Sequence, residues 1–153
     1  MPPRIVENPR ALAEFVGREI GVSEWLQISQ ERIASFAEAT EDRQWIHLDA
    51  ERARTESPFG APIAHGFLTL SLVSYFVHDV IEIARGVRLA VNYGLNRVRF
   101  PAPVKVNSRI RASVALQALK EMSDSVEAVY SVTVSCEGSG KPSCVAECIV
   151  RYY

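Results

Sequence analysis

The stretch from Gly66 to about Arg85 limits the fold more than any other. Phe67, Leu68, Leu70, Leu72, Val73, Tyr75, Phe76, Val77, Val80, Ile81 and Ile83 cover nearly every direction around a helical axis. A helix that is apolar all round is a buried helix. His78 and Asp79 interrupt it well short of the length a bilayer needs, so it does not read as a membrane span. In a chain of 153 residues, something else must wrap it.

The C-terminal half can do so. Val87 to Phe100, Arg109 to Ala118, Val126 to Cys136 and Cys144 to Tyr153 are rich in β-branched residues and alternate apolar with polar. Pro101 and Pro103, then Lys120 to Ser125, then Gly138 to Pro142, break them apart. The last three read as a meander of long antiparallel strands. Gly94, inside the first, predicts a bulge or a close ligand approach. The expected architecture is α+β: one antiparallel sheet of about five strands curled around one long helix. A single sheet leaves one side of that helix open, and a homodimer is the economical way to close it.

Upstream, Asn8 and Pro9 predict a short helix to Val16 that ends by Gly17. Val22 to Ile28 alternates and reads as a strand. Ser29 caps a helix over Gln30 to Ala39, with Ile33, Phe36 and Ala37 as its apolar stripe. Glu41 to Leu48 has neither period and reads as a loop. Asp49 caps a short helix over Ala50 to Arg54, and Thr55 to Pro62 is again loop. No linker or repeat divides residues 1–153, which predicts a single domain.

Composition narrows the partners. Hydrophobic residues are 48% and charged residues 23%, and the net charge of -1 is spread in mixed sign, which argues against a nucleic-acid or anionic-membrane surface. The first ten residues lack an apolar core, so a cytoplasmic location is expected. Three cysteines, Cys136, Cys144 and Cys148, do not make a disulfide framework. On a shared strand Cys144 and Cys148 would lie about 13 Å apart, too far for a bond or a common metal.

Asp42 and His47 lie five residues apart, an acid beside a group that titrates near neutrality. Together they can hold and polarise a water. On spacing alone a turn aspartate and a backbone-satisfied histidine are the better reading, since the spacing arises by chance. Gly66 opens the apolar helix, where free N–H groups and the helix dipole favour an oxyanion. An ordinary glycine turn is the competing reading. His65 reads as structural, bonding the preceding loop. Ser74 lies two turns on, on nearly the same face, and can bond a ligand along the helix or its own backbone. His78 and Asp79 read as surface or interface residues, and Arg97, Arg99 and Lys105 as solvated charges or phosphate contacts at a pocket mouth. Neither a Gly-rich phosphate loop, a metal-spaced cluster nor a Gly-x-Ser-x-Gly turn is present, so the sequence asks for no nucleotide cofactor, no metal and no serine nucleophile.

Two segments carry a family likeness. Phe36-Ala37-Glu38-Ala39-Thr40-Glu41-Asp42-Arg43-Gln44-Trp45-Ile46-His47-Leu48-Asp49 is followed, after a spacer, by Pro62-Ile63-Ala64-His65-Gly66-Phe67-Leu68. In this order they resemble the MaoC-like dehydratases, the (R)-specific enoyl-thioester hydratases. Gln44-Trp45 stands where Asn-Pro is common, and Asn92 to Pro103 is similar to the nodulation-protein-N-like branch. The resemblance implies a hotdog fold, usually dimeric. It implies reversible hydration of a trans-2-enoyl thioester carried by coenzyme A or acyl carrier protein, with no further cofactor. Asp42 and His47 would activate the water, the Gly66 N–H would hold the thioester carbonyl, and Ser74 would stand near the pair. A hotdog acyl-thioesterase and a non-catalytic acyl-binding protein are the alternatives.

Overall fold

The computed structural model describes all residues, 1–153. The meander forms as its alternation predicts. Strands β6 (Arg109–Glu121), β7 (Val126–Cys136) and β8 (Pro142–Tyr152) are antiparallel neighbours, with Val114 opposite Val132 and Val132 opposite Ala146. On β7 the burial alternates without a break: Ala128, Tyr130, Val132 and Val134 are buried and the residues between them are not. That is the period of a strand with one face on a core.

Strand β2 (Arg18–Val22) pairs with β6, and β5 (Ala90–Arg99) pairs with β8, giving the order β2-β6-β7-β8-β5. A two-residue strand β3 (Leu26–Gln27) also pairs with β6. Register shifts in β2, in β6 and twice in β5, one of them between Asn92 and Gly94, mark bulges that add twist and curl.

Inside the curl lie α4 (Gly66–Ser71) and α5 (Val73–Val80). Their hydrogen bonding runs through Leu72, whose N–H donates to Leu68 and whose carbonyl accepts from Phe76, so they act as one central helix. Leu68, Val73, Phe76, Val77 and Val80 enter a continuous cluster of 27 buried residues with the inner faces of β6, β7 and β8. The opposite side is bare: Phe67 is 70% exposed and Tyr75 46%. One sheet covers one side of a helix that is apolar on all sides.

Three expectations need correction. The central helix ends at Val80, not near Arg85, because Ile81–Ile83 becomes β4 and pairs in parallel with β1 (Arg4–Val6). A tripeptide that alternates β-branched with polar suits a strand, and the remote partner at the N-terminus supplies the ladder. The strand placed at Val22 to Ile28 lies mostly earlier, at β2. At Ser23 the regular pairing stops: its N–H still donates to the Ala112 carbonyl, but its hydroxyl, in place of its carbonyl, accepts from the Ala112 N–H. Glu41 to Leu48 is not all loop, since Trp45–Leu48 forms a single helical turn, α2.

The caps are as expected. Asn8, Ser29 and Asp49 accept from the N–H groups of Ala11, Arg32 and Arg52. They start a 3-10 helix (Pro9–Phe15), α1 (Gln30–Thr40) and α3 (Ala50–Glu56). No helix is long and apolar enough to cross a membrane.

Candidate active site

Chain geometry puts Asp42 on a short loop between two helices. α1 ends at Glu41, whose φ of 64° reverses the chain in a conformation side chains disfavour. Asp42 follows and is exposed. Its Oδ1 accepts only a long bond, 3.4 Å, from the Gln44 N–H. The neighbouring Arg43 is occupied with Glu38 and Glu41, which leaves the Asp42 carboxylate without a cation.

His47 sits on α2 and is 6% exposed. Its Nδ1 is 2.6 Å from the Ile63 carbonyl. A carbonyl only accepts, so Nδ1 carries the proton and Nε2 presents a bare lone pair. Burial pushes the imidazole below its ordinary value of 6.5. The Ile63 bond opposes that shift, His65 reinforces it, and Asp42 opposes it. Gln30 on α1 donates to the His47 carbonyl at 2.8 Å, which ties α2 to α1.

Pro62–His65 is threaded between α2 and the Val104–Val106 segment. The Ile63 N–H donates to Ile46, Ala64 to Val104, and Val106 to Pro62. This backbone pairing delivers His65 beside the pair. The His65 ring stacks on His47 at 3.7 Å and 22°, and its Nε2 is 2.8 Å from the Asp42 carbonyl. One side-chain donor each from Asp42, His47 and His65 lies within 4.8 Å of the others. A metal fits this trio poorly. Nearly parallel rings hold their in-plane lone pairs side by side, where a tetrahedral ion needs them to converge. The same trio suits the holding and transfer of a proton.

Gly66 follows His65 directly. As the first residue of the central helix it has no carbonyl one turn behind it, and its N–H finds no partner in the chain. The Phe100 ring packs on the glycine, and a Cβ there would stand 3.2 Å from it. Phe67 meets Phe100 edge-on at 6.2 Å.

Ser74 lies elsewhere. It is about 12 Å along the helix from Gly66, at 1.5 Å per residue. Its hydroxyl lies 3.2 Å from the Asn92 side-chain nitrogen on β5, which donates to it. It lines a mostly apolar cavity of about 530 Å³, with Leu70, Val73, Val77, Leu95 and Cys148. That cavity starts one helical turn beyond Gly66 and does not include Asp42 or His47. The fold thus gathers Asp42, His47, His65 and Gly66, and sets Ser74 apart. Arg97, Arg99, Lys105 and His78 are exposed, and Asp79 accepts from the Glu24 N–H at 2.7 Å. Sequence reasoning did not anticipate Gln30 or Phe100 at the site. Neither has a local signal, because each arrives from a separate element.

Residues 12–136 match the MaoC like domain. The chain is 51% identical over 150 residues to 3-hydroxyacyl-thioester dehydratase Z of Mycobacterium tuberculosis, covering 97% of this chain and 98% of that protein. It is 44% identical over 135 residues to nodulation protein N of Rhizobium leguminosarum bv. viciae, covering 88% and 84%. Among solved structures it resembles the (R)-hydratase from A. caviae involved in PHA biosynthesis, with a TM-score of 0.73 and 28% identity over 90% of this chain and 96% of that one.

Proposed function

The chain belongs to the MaoC-like dehydratase family, and from that premise we propose that it is a hydro-lyase that reversibly adds water across the double bond of a trans-2-enoyl thioester, giving the (R)-3-hydroxyacyl thioester. One observation carries the site assignment. An exposed carboxylate, that of Asp42, and a ring nitrogen of the His47 imidazole lie within 4.8 Å of each other beside a helix start, and the N–H of Gly66 there has no partner.

A water has two O–H bonds. One donates to the Asp42 carboxylate and the other to His47 Nε2, which leaves the oxygen lone pairs free to attack C3. The Gly66 N–H receives the thioester oxygen as negative charge builds on it. The water's oxygen stays on C3 as hydroxyl, its proton passes to the pair, and the pair returns a proton to C2. Dehydration is the same path reversed. The apolar cavity beyond Gly66 takes the acyl chain, with Ser74 as a lining residue. Coenzyme A or acyl carrier protein enters as the carrier of the substrate, and no other cofactor is needed.

A second copy of the chain completes the fold. Strand β5 is an edge strand whose outer side has no partner, and Leu89, Val91, Tyr93 and Leu95 beside it are 44–56% exposed. A long apolar edge invites pairing, and the homodimer forms along it, closing the cavity that β5 borders. Sedimentation of the native chain and of Val91→Glu/Leu95→Arg tests this, with a monomer expected only for the variant. A monomeric native chain refutes it.

The activity test uses crotonyl-CoA, following enoyl-thioester absorbance and free thiol together. Loss of absorbance without thiol release is expected. Thiol release would mark a thioesterase. No reaction across short and long enoyl chains would leave only an acyl-binding protein.

A further inference from the structure

His65 is 3% exposed and packs against two rings. It stacks on His47, and Phe36 lies 4.9 Å away, tilted by 55°. A phenyl ring would fill that slot and strand nothing. The imidazole does strand something: its Nδ1 is buried without a partner, and a buried polar atom without a partner is costly. What the imidazole adds over a phenyl is its other nitrogen. The Asp42 carbonyl only accepts, so Nε2 carries a proton and donates to it across 2.8 Å.

That bond matters because little else holds the loop. Asp42 is exposed, its side chain makes one long bond to its own loop, and Glu41 before it adopts a disfavoured φ. His47, by contrast, is anchored three ways: by Ile63, by Gln30 and by the stack. The two halves of the acid-base pair thus sit on supports of unequal stiffness, and His65 touches both. It is also joined through one peptide bond to Gly66.

We propose that His65 is the positioning residue of the site: its Nε2–H and its ring face together set the separation between the Asp42 carboxylate and His47 Nε2, and register both against the helix start at Gly66. It does not touch the substrate. The kinetic part of the proposal rests on the hydratase reading, while the geometric part does not.

Three substitutions divide its two contacts. His65→Gln carries an amide N–H to the Nε2 position without a stacking ring. His65→Phe keeps the ring without the donor. His65→Ala keeps neither. Misplacing a reacting group by about 1 Å costs about 10²-fold, and that loss in kcat is expected for His65→Ala on crotonyl-CoA, with KM changed less than about threefold. His65→Gln should recover about tenfold of the loss.

The second readout is the imidazole titration of His47 by NMR, tractable with 3 histidines in the chain. Asp42 and His65 are the ionisable groups that act on His47. Opening its stacked face to water should move its midpoint up toward 6.5 in His65→Ala and His65→Gln, and leave it low in His65→Phe. A role in packing alone would give Phe the native rate and leave Gln as impaired as Ala. That pattern, or an unchanged rate and His47 titration in His65→Ala, overturns the proposal.

Should the variants not fold, the native protein still decides. Its His65 Nε2–H should appear as a slowly exchanging imidazole proton, and its absence overturns the proposal. If the native protein hydrates no enoyl thioester, the functional reading falls, and the titration and exchange data judge the positioning claim by themselves.

Discussion

Replacing His47 with asparagine separates the two jobs of its ring. The asparagine amide reaches the position of Nδ1, so the bond to the Ile63 carbonyl survives, and Nε2 is lost. His47→Ala loses both nitrogens. The stack on His65 at 3.7 Å is worth about 0.5–1.5 kcal/mol, and either variant forfeits it. Alanine also leaves the Ile63 carbonyl without its partner, a further cost of about 1–3 kcal/mol. The expected destabilisation is about 1 kcal/mol for asparagine and about 2–4 kcal/mol for alanine. Both should lose about 10²–10⁴-fold in rate, because both remove the lone pair that holds the water. In barrier height that is about 2.7–5.5 kcal/mol. Chemical denaturation with an unchanged m-value gives the first quantity, and initial rates on crotonyl-CoA give the second. The variants should differ in stability and agree in rate. A His47→Asn enzyme within tenfold of the native rate would refute the assignment of Nε2, and would move the chemistry to Asp42 alone.

Acid should weaken the fold through the same residue. Burial holds His47 below 6.5 in the folded chain, so on acidification the unfolded chain takes up a proton first. This contribution is complete above about 6.5 and is lost as pH falls toward the folded value. Melting temperatures measured across that window should decline, and His47→Asn should flatten that part of the decline. In the core, the Tyr130 and Tyr152 hydroxyls share a hydrogen bond of 2.7 Å. Tyr130→Phe should cost about 1–3 kcal/mol by stranding the Tyr152 hydroxyl, and the double Tyr130→Phe/Tyr152→Phe variant should lie nearer the native stability in denaturant. Burial pushes the Cys144 and Cys148 thiols up to about 11. A thiol reagent at neutral pH should therefore react with the fully buried Cys144 only on the timescale of opening, and its rapid native-state labelling would contradict its placement.

Local rules carried the outline of the fold. Asn8, Ser29 and Asp49 each cap the element that follows, because an Ncap bond spans only three residues. β6, β7 and β8 form where the alternation says, because a strand with one face on a core writes its period into the chain. Gly94 marks a bulge for a similarly local reason. The failures have a common origin. Ile81–Ile83 leaves the helix for a partner near the N-terminus, and the strand stops at Ser23, where the hydroxyl replaces the carbonyl as acceptor for the Ala112 N–H. In both, a contact distant in sequence overrides a short-range pattern.

The site divides along the same line. By itself the sequence determined that an acid, a base and a glycine-led apolar helix occur in that order, and the two matching segments named their family. Order along a chain fixes no distance between side chains. Only the tertiary structure decided that His65 lies on His47 and bonds the Asp42 backbone, because the Pro62–His65 backbone pairs with Ile46 on one side and Val104–Val106 on the other. Only it decided that Ser74 bonds Asn92, away from the pair, and that one sheet leaves Phe67 and Tyr75 exposed. Periodicity reports that a side chain is apolar; which neighbour covers it, or whether one does, depends on elements the periodicity of a single segment does not contain.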